Sequence, residues 1–180
     1  PLFFLDYFAT SKLDVDQAEE VIKGILRGCK ESNCILLGGE TAEMPGFYQE
    51  GEYDIAGFAV GIVHKNDLID GSTIESGDVI VGIPSTGIHS NGYSLVRRII
   101  YDNNIQTNLP IMDLKEPLIE TLLRPTALYV ETIQEILKHH KIKGIAHITG
   151  GGLPENAPRM LPKDLGIIID KKSWTVPKIF

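Results

Sequence analysis

Leu36-Leu37-Gly38-Gly39-Glu40-Thr41-Ala42-Glu43-Met44-Pro45 is the stretch on which the reading of this chain turns. It extends an apolar run that begins at Cys34, and it sets two glycines, a carboxylate, a hydroxyl and a second carboxylate before a proline. Paired glycines let a backbone turn sharply or approach a ligand closely. A carboxylate just past the end of a buried strand is well placed to hold a metal ion against phosphates. A tight strand-to-loop turn with two solvated glutamates would account for the same residues. The rest of the chain decides between the two.

Upstream, Leu2 to Ala9 is aromatic and apolar with one acid, Asp6, and reads as a buried strand or the end of a packed helix. An acid there is costly unless it is paired, hydrogen-bonded or bound to a cation. Asp14 and Gln17 form a D-x-x-Q capping box. Behind it, Ala18, Val21, Ile22, Ile25, Leu26 and Cys29 fall on one helical face. The apolar run from Cys34 then reads as a buried strand.

Downstream, Tyr53 to Val63 is apolar almost throughout, which predicts a strand covered on both faces. The turn-rich stretch from Lys65 to Asp78 places a domain boundary near residue 70, giving units 1–70 and 71–180. Val79 to Ile83 reads as a short buried strand, followed by the donor-rich loop Pro84-Ser85-Thr86-Gly87-Ile88-His89-Ser90-Asn91-Gly92 and a helix from Tyr93 to Ile100. Asp102 to Pro117 reads as an irregular excursion, and Pro125 fits the first turn of a further helix. Gly144 to Ile148 reads as a strand ending near His147, before Thr149-Gly150-Gly151-Gly152 and a helix from Leu153 to about Met160. Leu165 to Ile169 reads as a last strand. A strand, a Gly/Ser/Thr loop and a helix in that order suit a phosphate.

The 180 residues carry a formal charge of −7, which argues against nucleic acid or an anionic membrane as partner. Small phosphorylated ligands need only a few local donors and stay open. Cys29 and Cys34 have no zinc-ligand spacing and read as reduced thiols. No apolar run is long enough for a membrane span. The chain opens without an initiator Met and stops at Phe180 without a polar tail, and reads as a piece of a longer protein. It lacks G-x-x-x-x-G-K-[ST], G-x-G-x-x-G and G-x-S-x-G, so P-loop, dinucleotide-binding and serine-hydrolase chemistry are not indicated. Two donor-rich glycine loops and one acidic glycine turn favour phosphoryl or nucleotide chemistry.

Six strings carry a resemblance: FFLDYFATSKLD from Phe3, LLGGETAEMPGFY from Leu36, YDIAGFAVG from Tyr53, GIHSNGYSLVR from Gly87, LLRPTALYV from Leu122 and AHITGGGLPENAPRMLP from Ala146. Together, and in order over essentially the whole chain, they resemble the phosphoribosylformylglycinamidine cyclo-ligase (AIR synthetase) family of de novo purine synthesis. Its superfamily also holds formylglycinamidine synthase, selenophosphate synthetase, thiamine-phosphate kinase and a hydrogenase maturation factor, which tend to carry a GGDT-like turn. The resemblance implies an α/β fold of two units, an N-terminal dimerising sheet unit and a C-terminal mixed α/β unit, both incomplete here. The family's N-terminal ATP segment, its Asn-Asp metal motif and the end of its C-terminal unit have no counterpart in this sequence.

The implied activity is an ATP-dependent cyclo-ligase that closes formylglycinamidine ribonucleotide to aminoimidazole ribonucleotide, releasing ADP and phosphate. The implied cofactors are ATP and Mg²⁺, with a monovalent cation left open. By that analogy Glu40 and Asp6 hold the metal, and Asp6, Glu40, Thr41 and Glu43 line the nucleotide. Ser90, Asn91, Thr149, Gly150, Gly151 and Gly152 face substrate or its phosphate, and His89 and His147 are the candidate catalytic groups. The implied partners are the small-molecule substrate and a second copy in a homodimer, in the cytoplasm, with neither nucleic acid nor membrane. The enzyme is free-standing or one module of a multifunctional purine protein. The alternatives are an inactive dimerisation or scaffold fragment, or another superfamily member.

Overall fold

In a computed structural model of the chain, residues 1–111 and 114–180 are described. The excursion between Asp102 and Pro117 therefore includes two positions, 112 and 113, that lie outside the described residues. The chain is of mixed α/β class and divides into two compact units. One comprises Pro1–Leu68 with Leu128–His140, the other Ile69–Ala127 with Lys141–Phe180.

The first unit is built on strand β1 (Phe3–Thr10), helix α1 (Val15–Glu31) and strand β2 (Ile35–Glu43), with β1 and β2 parallel. Two parallel neighbours need a crossover, and α1 supplies it. The Asp14 side chain accepts from the Gln17 N–H at 3.0 Å, capping α1 as its D-x-x-Q signature predicts. The helix buries Ala18 and Cys29, while Lys23 pairs with Glu19 and Glu20, and Arg27 with Glu31, on exposed surface. Such exposed pairs contribute little to stability, because water screens them. The core of the unit is therefore the C-terminal half of β1, where Phe8, Ala9 and Thr10 are buried.

Strand β3 (Tyr53–Val60) pairs antiparallel with the other side of β1, giving the order β2-β1-β3. The sequence predicts a β3 covered on both faces. Instead it is an edge strand, with every residue exposed within this chain. Its ring contact is Tyr53 stacked on Phe8 with centroids 5.4 Å apart. Helix α4 (Val130–His139) belongs to the same unit by contact and starts five residues later than a Pro125 N-terminus would give.

A second correction concerns the opening stretch. Gly38 to Glu43 is not a turn after a strand but the strand itself, since β2 runs on to Glu43. At Gly39 a glycine is required because β1 crowds that position. A β-carbon on Gly39 would collide with the carboxylate and carbonyl of Asp6, its pairing partner. On the opposite side of β1, a β-carbon on Gly57 would collide with the Phe4 ring.

The second unit holds helices α2 (Tyr93–Asp102), α3 (Leu118–Leu122) and α5 (Gly152–Asn156), with a 3₁₀ turn over Ala157–Met160. Its buried residues are Leu118, Thr121, Leu122, Asn156 and Ala157, together with Gly71, whose β-carbon would meet the Met160 backbone. The strands expected at Val79–Ile83, Gly144–Ile148 and Leu165–Ile169 do not form: these segments have no ladder partners among the described residues. Val79, Val81 and Ile168 are strongly exposed. β-branched composition favours extended backbone, but only pairing with a neighbour makes a strand. Lys143 reaches across to Glu75 at 2.8 Å and Asp78 at 2.6 Å, tying the 75–78 turn to the segment before Gly144.

Candidate functional site

The acidic stretch takes its geometry from strand alternation. In register, Asp6 faces Gly39, Tyr7 faces Glu40, Phe8 faces Thr41 and Thr10 faces Glu43. Successive side chains point to opposite faces of a sheet. Asp6, Thr41 and Glu43 therefore share one face, and Glu40 lies on the other. The two carboxylates that the sequence assigns to one metal ion are not brought together. Among the described residues, no group of three or more His, Cys, Asp or Glu side chains is arranged to hold a metal ion. Glu40, Thr41 and Glu43 are exposed and Asp6 is half-buried. Glu43 accepts from the Leu13 N–H at 2.7 Å, which ties the end of β2 to the start of the crossover. Burial pushes the Cys29 thiol up, and the nearby Cys34 and Asp6 charges add to the shift. Both cysteines are free thiols, as the sequence predicts.

In the second unit, the loop before α2 is tied to the segment 124–127. His89 stands in the left-handed region at φ 59°, and Gly92, at φ 79°, caps α2. The His89 Nε2 accepts the backbone N–H of Thr86 at 3.0 Å and that of Ala127 at 3.4 Å. The Thr86 hydroxyl donates to the Pro125 carbonyl at 2.8 Å, and Ser90 and Thr126 share a hydroxyl hydrogen bond at 3.0 Å. The Arg124 guanidinium donates to the Thr86 carbonyl at 3.5 Å and also pairs with Glu116. A cavity of about 520 Å³ beside this loop is lined by Thr86, Gly87, Glu116, Arg124 and Lys178, among others. Ser90 and Asn91 are exposed. The sequence reading missed the role of 124–127, because Pro125 resembles a helix start and its docking bonds span 36 to 39 residues.

The glycine loop is shaped by a second residue the sequence reading missed. Asn156 is buried, and its amide donates to the carbonyls of Thr149 at 3.5 Å, Gly150 at 3.0 Å and Gly152 at 2.8 Å. Its own carbonyl oxygen accepts the Thr149 hydroxyl at 3.3 Å. Gly151 and Gly152 adopt φ 87° and 62°, a conformation that favours glycine. His147 is exposed and lines a separate cavity of about 340 Å³ with Asp70, Gly71, Asn156, Arg159 and Met160. The Ser72 side-chain and backbone donors hold the Asp70 carboxyl below its ordinary value. The only direct signal for Asn156 was its place four residues beyond the third glycine, on the first turn of the following helix.

Two known domains match the chain in sequence order, and the second takes in residues 128–140, which belong to the first compact unit. Residues 1–63 match the domain described as "AIR synthase related protein, N-terminal domain", and residues 75–180 match "AIR synthase related protein, C-terminal domain". The chain is 57% identical over 181 residues to a phosphoribosylformylglycinamidine cyclo-ligase of Prochlorococcus marinus, covering 100% of this chain and 52% of that protein. It is 57% identical to the protein of that name from Desulfitobacterium hafniense, covering 100% of this chain and 52% of the relative. It is 54% identical to a chloroplastic/mitochondrial one from Vigna unguiculata, covering 100% and 46% respectively. The chain spans about half the length of the curated relatives it matches. With both of its domains matched in sequence order, the chain belongs to the AIR synthase related protein family.

Proposed function

We propose that this chain is part of an ATP-dependent cyclo-ligase that converts formylglycinamidine ribonucleotide to aminoimidazole ribonucleotide, ADP and phosphate. The observation that carries the reading is identity of 53–57% along the whole chain to proteins named phosphoribosylformylglycinamidine cyclo-ligase. The division of the protein into an N-terminal and a C-terminal domain near residue 70 belongs to the same reading.

In this reaction ATP phosphorylates the formyl amide oxygen, the amidine nitrogen attacks that carbon, and phosphate leaves. The protein's part is positioning and charge neutralisation. Glu40 is the carboxylate proposed for the nucleotide's Mg²⁺, which needs only one or two protein carboxylates beside phosphate and water oxygens. Mg²⁺ supplies neutralisation of phosphate charge. Asp6, Thr41 and Glu43 lie on the opposite face of the sheet, so they do not share with Glu40 the face on which it would hold that ion. Ser90 and Asn91 present polar groups to the substrate. Thr149 to Gly152 hold an anionic group, and His147 is the exposed imidazole available to move a proton.

The exposed apolar edge of β3, with Ile55, Phe58 and Val60, supports pairing with a second copy in a homodimer. Cytoplasmic residence follows from the pathway proposed. Among the described residues no helix is long and apolar enough to cross a membrane. A monovalent cation requirement is tested by replacing K⁺ with choline.

The test is an assay of the polypeptide at full family length with formylglycinamidine ribonucleotide, ATP and Mg²⁺. Aminoimidazole product together with ADP is expected. ATP consumption only with another acceptor would move the protein to a different branch of the superfamily.

A further inference from the structure

Asn156 directs its whole side chain at one loop. Its amide donates to the carbonyls of Gly152 at 2.8 Å and Gly150 at 3.0 Å, with the Thr149 carbonyl at 3.5 Å on the same side. Backbone carbonyls only accept, so the end of the side chain that faces them is the NH₂. Its oxygen accepts the Thr149 hydroxyl at 3.3 Å. The residue is 2% exposed, so water does not compete for these bonds. The Thr149 carbonyl also takes the Gly152 N–H at 3.0 Å, which closes the turn.

These bonds fix the direction of the loop's other polar groups. A trans peptide sets each N–H antiparallel to the carbonyl of the preceding residue, and no cis peptide is present among the described residues. With the Thr149 and Gly150 carbonyls drawn toward Asn156, the N–H groups of Gly150 and Gly151 point away from it. Among the described residues, neither N–H donates to a protein acceptor. Glycine leaves such peptide planes free to rotate. A flip of the plane between Gly150 and Gly151 would turn a carbonyl outward, and an anion would meet a lone pair instead of a donor.

We infer that Asn156 is a positioning residue for the loop 149–152, holding the Gly150 and Gly151 N–H groups outward as donors to a phosphoryl group. The inference rests on the proposed cyclo-ligase reading, in which this loop holds an anionic part of a ligand. Asn156 stands behind the loop and does not touch that ligand. Donors fixed before the ligand arrives need no ordering when it binds. One group opposes the anion: the Glu155 carboxylate lies against Gly151, where a β-carbon would collide with it. Both the nucleotide and the ribonucleotide carry phosphoryl groups, and their separate KM values distinguish the two sources.

The experiment has two arms. In the first, the full-length polypeptide is assayed with each substrate varied in turn. Asn156→Ala is expected to raise the KM of one of the two substrates about tenfold or more, with kcat kept within about threefold. Glu155→Gln, which removes an exposed negative charge beside the loop, should lower the same KM about two- to threefold. Loss in kcat with both KM values unchanged, both KM values raised alike, or a KM raised by Glu155→Gln would each overturn the inference. In the second arm, the full-length polypeptide labelled with ¹⁵N in glycine is titrated with inorganic phosphate and followed by NMR. The Gly150 and Gly151 amide signals should move downfield, and Asn156→Ala should raise the apparent Kd about tenfold. Signals that stay in place, or a Kd independent of residue 156, would overturn the inference. If the wild-type polypeptide makes no aminoimidazole, the proposed function falls and the phosphate titration still decides the role of Asn156. If the alanine variant fails to fold, Asn156→Ser, which keeps one donor, takes its place in both arms with a smaller rise expected.

Discussion

Gly39 lies directly beneath Asp6: the two are pairing partners on β2 and β1, and no β-carbon fits between them. This contact explains why a glycine stands at position 39 inside the strand. Gly39→Ala is expected to cost about 1–3 kcal/mol through overpacking. Gly28→Ala, in the interior of α1 with open space around it, is expected to stabilise by about 0.5–1 kcal/mol. Thermal melts of the two variants check the pair. A Gly39→Ala protein as stable as wild type would show that Asp6 does not lie over that position.

The same register separates Asp6 from Glu40. In the full-length polypeptide, Glu40→Gln is expected to lower kcat/KM for ATP by about tenfold or more, with partial recovery at higher Mg²⁺. Coupling well above about 0.5 kcal/mol marks residues that share a partner or network, and side chains on opposite faces of the sheet share none. A cycle with Glu40→Gln, Asp6→Asn and the double variant should therefore be close to additive. Strong coupling would place both carboxylates on one ion and contradict the sheet geometry.

Asn156 satisfies three backbone carbonyls from a buried position. Removing its amide leaves those acceptors without that partner, a loss of about 1–3 kcal/mol. Asn156→Asp is expected to destabilise more than Asn156→Ala at neutral pH, because a carboxylate would face the same carbonyls. Urea unfolding of both variants tests the order.

The Lys143 bridge has a defined pH window. Hydrogen bonding to Lys143 holds the Asp78 carboxyl below its ordinary 3.8, and Asp78 and Glu75 hold the Lys143 ammonium above its ordinary 10.5. A lowered carboxyl contributes stability above its unfolded pKa, and this is lost as pH falls through the folded value. A raised ammonium contributes stability below its unfolded pKa, and this is lost as pH rises through the folded value. The difference in urea midpoint between wild type and Lys143→Met should therefore be flat between those limits and shrink beyond each. A difference that changes across neutral pH would point to another group.

Much of the first unit was legible from local chemistry. The D-x-x-Q signature at Asp14 and the apolar spacing from Ala18 to Cys29 are short-range features, and α1 follows them to its cap. The glycine loops were visible as composition, and the acidic stretch as a motif. Less legible were the length of β2 and the exposure of β3, because both depend on which strands lie beside β1. The three apolar runs of the second unit look like strands individually, but their composition does not supply a ladder neighbour.

By itself, then, the sequence determined the family, the α/β class, the capped helix and the chemical inventory: acids near Gly39, donors around His89, and glycines before Asn156. Only the tertiary structure decided how that inventory is shared out. Pairing register set Asp6 and Glu40 on opposite faces. Contacts spanning 36 to 39 residues turned His89, Thr86 and Ser90 toward segment 124–127. Local sequence specifies what a backbone segment can adopt and which groups it carries. The face a side chain points to, and the partner its lone pair meets, are set by neighbours distant along the chain.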